Sequence, residues 1–174
     1  SLRGALTLNT DFAEVEVDNR QVNLTRFPLR FPEQREFFLE GSGVFSFNWA
    51  DPFFSRRIGL VEGQEVPISF GARLGGQIGD YEVGLYQVRT DDTTLENRDG
   101  SARPWAAEDF TVGRVKRRLF RQSHVGMIYT RRASDGVTGD ERLEDRHTLG
   151  ADFDFYTSQF LGQYNAQFEG FLSY

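Results

Sequence analysis

"GARLGGQIGDYEVGLYQVRT", residues 71–90, is the stretch on which the fold turns. Two alternating runs meet at Gly79-Asp80. Upstream, over 66–78, Val66, Ile68, Phe70, Ala72, Leu74 and Ile78 alternate with Ser69, Gly71, Arg73 and Gln77; downstream, Tyr81, Val83 and Leu85 alternate with Glu82 and Gly84. A period of two marks a half-buried strand, because successive side chains point to opposite faces. Gly-Asp between two such runs is a hairpin signal.

The alternation continues outward. Over 147–156, Leu149, Ala151, Phe153 and Phe155 oppose Asp152 and Asp154; over 160–172, Phe160, Tyr164, Ala166 and Phe168 oppose Gln163, Asn165, Gln167 and Glu169. Weaker runs lie at 110–120 and 123–132. The connections run short (79–80), long (91–109), short (Arg121-Gln122), long (133–145), short (Thr157-Ser158-Gln159). An antiparallel meander then has every tight turn at one end and every long loop at the other. That asymmetry, with strands of roughly 10–13 residues, is expected of a transmembrane β-barrel. Tyr81, Tyr129, Tyr156, Phe160 and Tyr174 fall near strand ends, as interfacial girdles require. The expected fold is therefore all-β: an antiparallel up-and-down meander forming part of a transmembrane barrel. A soluble β-sandwich or lipocalin-like barrel is the alternative with the same periodicity.

Residues 1–65 are less regular and predict N-terminal barrel strands plus a short helical plug or rim element. Pro32, Glu33, Glu36 and the stop at Gly41 predict a helix over 32–40. "VFSF" (44–47) and "FFSRRIG" (53–59) read as brief strands. Residues 66–174 predict a regular meander of six strands, and both ends read as cut from a larger barrel domain. Six is below the minimum of about eight for a closed bacterial barrel, so closure needs further strands.

Composition narrows the functional classes. The chain has 174 residues and a net charge of −6, which argues against nucleic acid as a partner. It has no cysteine, and His124 and His147 are its only histidines, so no metal or cofactor is expected. Asp11, Glu14, Glu16 and Asp18 lack the glycine-centred spacing of a calcium loop. Ser123 and His124, adjacent on a strand, point to opposite faces and cannot form a catalytic pair.

Two groups of candidates remain. Glu36 and Glu40, one helical turn apart, are the pair a glycosidase would need, although nothing local separates their acidities. Arg56, Arg57, Arg73, Arg114, Lys116 and Arg118, with Asp152, Asp154 and Glu169, form the charges expected in a barrel lumen or at its rim. A cation facing lipid at mid-depth costs about 2–4 kcal/mol, so the strand cations belong inside. Trp105, in a long loop, is a candidate platform for stacking a sugar.

Several long motifs carry a resemblance: "LTLNTDFAEVEVDNRQVNLTRF" (6–27), "FPEQREFFLEGSGVFSF" (31–47), "PFFSRRIG" (52–59), "GARLGGQIGDYEVGLYQVRT" (71–90) and "FTVGRVKRRLFRQSHVGMIYTRR" (110–132). In order and spacing they resemble an uncharacterised bacterial domain that follows a family-9-type carbohydrate-binding domain in outer-membrane proteins. The resemblance implies location in the bacterial outer membrane, lipid as a partner and a link to carbohydrate binding or uptake. It supplies no catalytic residues. The expectation is a polar-lumen channel or anchor; an envelope glycoside hydrolase and a soluble β binding domain are the alternatives.

Overall fold

The computed structural model describes residues 1–10, 33–47, 52–97, 99–134, 136–138, 141–142 and 145–174. Pro32 and the acidic run from Asp11 to Asp18 lie outside the described residues.

The chain is mostly β, antiparallel, with one short helix. In chain order the elements are β1 (Leu2–Thr10), α1 (Glu36–Leu39), β2 (Leu60–Val61), β3 (Gln64–Glu65), β4 (Ile68–Ile78), β5 (Tyr81–Thr90), β6 (Thr93–Glu96), β7 (Ala102–Trp105), β8 (Glu108–Leu119), β9 (Ser123–Ser134), β10 (Val137–Thr138), β11 (Glu141–Arg142), β12 (Arg146–Phe160) and β13 (Tyr164–Ser173). One sheet of seven strands, in the order β1-β4-β5-β8-β9-β12-β13, carries the architecture. No pairing joins β1 to β13 among the described residues, so the sheet is open rather than a closed barrel.

Several expectations are corrected. The helix is a single α-turn, Glu36–Leu39, followed by a 3₁₀ turn at Ser42–Phe45, because Gly41 breaks the path at φ 73°. "VFSF" and "FFSRRIG" are not strands; a second 3₁₀ turn spans Ser55–Arg57. The long connections carry hairpins of their own, β6–β7 and β10–β11. The last tight turn is Leu161–Gln163, not Thr157–Gln159. Leu161 and Gly162 supply the positive φ values of 50° and 85° that a reversal needs, while the polar Thr-Ser-Gln stays in β12. At the opening hairpin, Gly79 turns the chain with φ 58°. A register shift between Ile68 and Phe70 also splits the apolar run of β4: Ile68 is buried and Phe70 exposed.

The register sorts every strand residue onto one of two faces. A row across one face runs Gly4, Leu74, Leu85, Gly113, Tyr129, Leu149; the next runs Leu2, Gly76, Val83, Val115, Met127, Ala151, Leu172. We call this the outer face. Most of its larger apolar side chains are open to the surroundings, from 36 % for Phe70 to 76 % for Leu6. The inner face carries Arg73, Tyr86, Val112 and Thr130 in one row, and Gly84, Arg114, Ile128 and Gly150 in the next.

The hairpin tips are staggered. The row through Leu2 and Leu172 lies close to the tip of β4–β5. It lies much farther from the tip of β12–β13, whose ladder continues to Phe160 opposite Tyr164.

Residues 33–47 and 52–58 cover the inner face. Phe38, Val44, Phe45, Phe47 and Ile58 pack there with Ile68, Tyr86, Val88, Phe110, Val112 and Ile128 to form the core. Strand glycines make the room. A Cβ on Gly84 would lie 2.6 Å from the Phe45 ring and 2.8 Å from Val44; one on Gly150 would lie 3.0 Å from the Phe47 ring. Gly113, on the outer face, has nothing within 4 Å of its Cβ position. Gly84→Ala is therefore expected to destabilise by about 1–3 kcal/mol through overpacking. Gly113→Ala should change stability by no more than about 0.5 kcal/mol. Equilibrium unfolding of the two variants checks the difference; equal effects would mean that the segment does not rest on Gly84.

Candidate functional site

The site is the inner face: one part lies under the covering segment, and one part at the tight-turn end is open. The covering segment has little regular structure, so its carbonyls need partners from elsewhere. Long inner-face side chains supply them. Arg73 Nη1 donates to the carbonyls of Phe37 (3.1 Å) and Glu40 (2.6 Å), and its other nitrogen binds the Glu40 carboxylate. Tyr86 donates its hydroxyl to the Phe38 carbonyl at 3.2 Å. Arg114 Nη2 reaches the Ser46 carbonyl at 3.2 Å, and Lys116 Nζ reaches the Gly43 carbonyl at 3.2 Å and Ser46 Oγ at 2.8 Å.

Two ionic groups hold this arrangement. Within the covering segment, Arg35 binds both carboxylate oxygens of Glu33 and donates to the carbonyls of Ile58 and Ser55, while Ser55 Oγ donates to Glu33 at 2.7 Å. This ties residues 33–35 to 55–58. On the sheet, Arg114 and Asp152 form a fully buried pair at 2.7 Å. The Phe47 ring lies 5.0 Å from the guanidinium carbon. Gly126 is the space they occupy: a Cβ there would stand 2.6 Å from Asp152 Oδ1 and 2.8 Å from Arg114 Nη1. Among the described residues, Arg114 Nε and Nη1 and Asp152 Oδ1 have no hydrogen-bond partner.

The sequence candidates fall in different places. β8 puts Arg114, Lys116 and Arg118 on the inner face, opposite Ile128, Gly126 and His124. Asp154 lies on the same face and accepts from Gln167, with Glu169 opposite it on β13. Arg56 is buried and Arg57 exposed, both on the covering segment rather than on a strand. Glu36 is exposed. Glu40 is held by Arg73, whose hydrogen bond and charge keep its carboxyl below the ordinary value of 4.5. A general acid needs the opposite shift. Trp105 lies in the β6–β7 hairpin with the Arg103 guanidinium 5.2 Å from its ring centre.

Sequence reasoning did not single out Arg35, Tyr86, Phe47, Gly126 or Arg121 as site residues, and it weighed His124 only as a partner of Ser123. Gly126, standing alone in an apolar run, was the one available signal.

Toward the tight turns the covering segment ends, and the inner face opens into a cavity of about 340 Å³. Its lining includes Glu82, Lys116, Arg118, Arg121, Gln122 and His124. The Arg118 amide donates to the Asp80 carbonyl at 2.8 Å, which fixes the two hairpin tips around it.

With this geometry in place, the comparisons add one match. Residues 5–70 match a domain of unknown function (DUF5916). No curated protein and no solved structure matches the chain. The matched stretch contains β1 from residue 5 onward, α1 and the first residues of β4, so it takes in the covering segment and part of the sheet beneath it.

Removing one partner of a buried pair leaves an uncompensated charge. Asp152→Ala is therefore expected to cost about 3–5 kcal/mol, and the double change Arg114→Met/Asp152→Leu to cost distinctly less than Asp152→Ala alone. Unfolding measurements on the two variants test this.

Glu33 gives a pH test. Burial raises its pKa, but the hydrogen bonds from Arg35 and Ser55 and the Arg35 charge outweigh burial and bring it below 4.5. A depressed folded pKa gives stability that is full above the unfolded value and is lost as pH falls through the folded one. The stability difference between the protein and Glu33→Gln should hold steady above pH 4.5 and shrink below it. A difference that does not change on acidification would exclude an ionic role for Glu33.

Proposed function

We propose that this chain is a segment of a transmembrane β-barrel in the bacterial outer membrane. Its outer face would meet lipid, and its polar inner face would be occupied by the covering segment. The observation that carries the reading is the shape of the apolar zone. On the outer face that zone runs from Phe70 to Ile78 on β4, from Val125 to Tyr129 on β9, and from Tyr164 to Leu172 on β13. It slides along the strands in the same sense as the stagger of the hairpin tips. A flat hydrocarbon slab crossed by tilted strands produces this slide, and barrel closure requires such a tilt.

The borders and dimensions agree with the slab. Toward the long loops the outer face becomes polar: Thr111 bonds Gln87, Arg89 pairs with Asp109, and Arg131 pairs with Asp145. Toward the tight turns, Arg117 lies over the Tyr81 ring, an amphipathic pairing suited to an interface. Phe70–Ile78 spans roughly 26 Å of strand. Tilted by about 40°, that projects to about 20 Å of depth, near the roughly 25 Å apolar band of outer-membrane barrels. Among the described residues no helix is long and apolar enough to cross a membrane, so strands are the elements available for crossing.

Within the barrel, the covering segment favours an anchor or a closed channel over an open pore. The link to carbohydrate rests on the family resemblance. The hydrolase reading gains no support, since the Glu40 carboxylate is engaged by Arg73.

The full-length protein is expected in the outer-membrane fraction, with migration on gels that changes on heating. Leu85→Arg places a cation in the apolar zone and should cost about 2–4 kcal/mol or block assembly. Thr130→Arg, on the inner face, tests whether any added arginine has that effect. Recovery of the protein from the soluble periplasm without detergent would overturn the proposal.

A further inference from the structure

We infer that the open cavity at the tight-turn end of the inner face binds a small polyhydroxylated organic acid, a solute with one carboxylate and several hydroxyl groups. The inference stands on the cavity itself and holds whether or not the outer face meets lipid.

Its cations are distributed unevenly in their engagement. Lys116 already donates to the covering segment. Arg118 and Arg121 have no hydrogen-bond, ion-pair or ring partner for their guanidiniums among the described residues. Most arginines of the sheet are committed: Arg73 to Glu40, Arg89 to Asp109, Arg114 to Asp152, Arg131 to Asp145 and Arg132 to Glu108. Two uncommitted guanidiniums lining one concavity offer the fork geometry that binds a carboxylate.

The carboxylates beside these cations decide the rest of the ligand. Asp80 and Glu82, from the β4–β5 hairpin, line the same cavity. They would repel a bare multivalent anion such as phosphate and would accept hydrogen bonds from hydroxyl groups. Gln77 and Gln122 add amides that can do either. A cavity that offers both cationic donors and carboxylate acceptors fits a solute that carries a carboxylate and hydroxyl groups, and about 340 Å³ is room for a single sugar acid. The cavity opens on the inner face, away from the apolar outer face, so a dissolved solute rather than a lipid headgroup is the source.

The test is calorimetric titration of the purified chain, in a detergent with a neutral headgroup where one is needed, with glucuronate, glucose and inorganic phosphate. Glucuronate should bind saturably, and about tenfold more tightly than either glucose or phosphate. Arg118→Gln/Arg121→Gln should weaken it by about tenfold or more. Arg57→Gln, an exposed arginine outside the cavity, should leave binding unchanged. Absence of glucuronate binding, binding that the double variant retains, equal binding of phosphate, or equal weakening by Arg57→Gln would each overturn the inference. Unfolding curves for the variants establish that the fold is kept, which the exposure of both arginines favours.

Discussion

An irregular segment laid against a sheet has carbonyls that no strand ladder can satisfy, and most of this structure follows from how they are met. Buried backbone oxygens without partners cost free energy comparable to a lost hydrogen bond. Here the donors come from the sheet: Arg73, Tyr86, Arg114 and Lys116 each reach a carbonyl between Phe37 and Ser46. Cations on long stems suit this task because they donate without needing to accept. The inner face is charged, then, because the element it supports is irregular. Asp152 compensates the deepest of these cations, and Gly126 leaves the pair its space.

The same constraint shapes the apolar contacts. A segment held by carbonyls must lie close to the strands, so aromatic rings descend onto positions without side chains. Phe45 sits at Gly84, Phe47 at Gly150 and Phe37 at Gly71. Tyr86 serves both demands: its hydroxyl meets the Phe38 carbonyl, and its ring packs among Phe38, Phe45 and Phe53 at centroid distances of 4.5–5.7 Å. The polar contacts set where the segment lies, and the aromatic rings bury apolar area against the sheet.

The strand period and the hairpin at Gly79-Asp80 were legible because both are local. Face assignment on β8 was legible for the same reason, and parity alone put Arg114, Lys116 and Arg118 together. What was not legible depends on distant residues. Nothing near Arg114 names Asp152, whose proximity follows from two successive strand registers. The pairing of β1 with β4 bridges a long stretch of chain and leaves no periodic trace. The turn at Leu161–Gln163 was missed because polar residues suggested Thr157–Gln159, whereas the deciding property is tolerance of positive φ, carried by Gly162. The register shift at Ile68 was hidden because both Ile68 and Phe70 are apolar, so a change of face changed no letter class. The extent of α1 was overestimated from its start signals, since Gly41 redirects the chain after a single turn.

The two ends of the inner face differ for a reason visible in the donors. Among the described residues, Lys116 is the last strand cation that binds the covering segment; beyond it, Arg118 and Arg121 line the open cavity. In a barrel built on this sheet, residues 33–47 and 52–58 would therefore close the interior at the level of Arg73 and Arg114 while leaving a recess facing the tight turns. On the proposed reading, such an interior would hold a solute from one side rather than pass it through. Conduction would require the segment to leave, and its departure would strand Arg73, Arg114 and Lys116 without the carbonyls they now serve. The contacts that make the inner face polar thus also keep the segment in place, which favours an anchored, occluded element over a freely open channel.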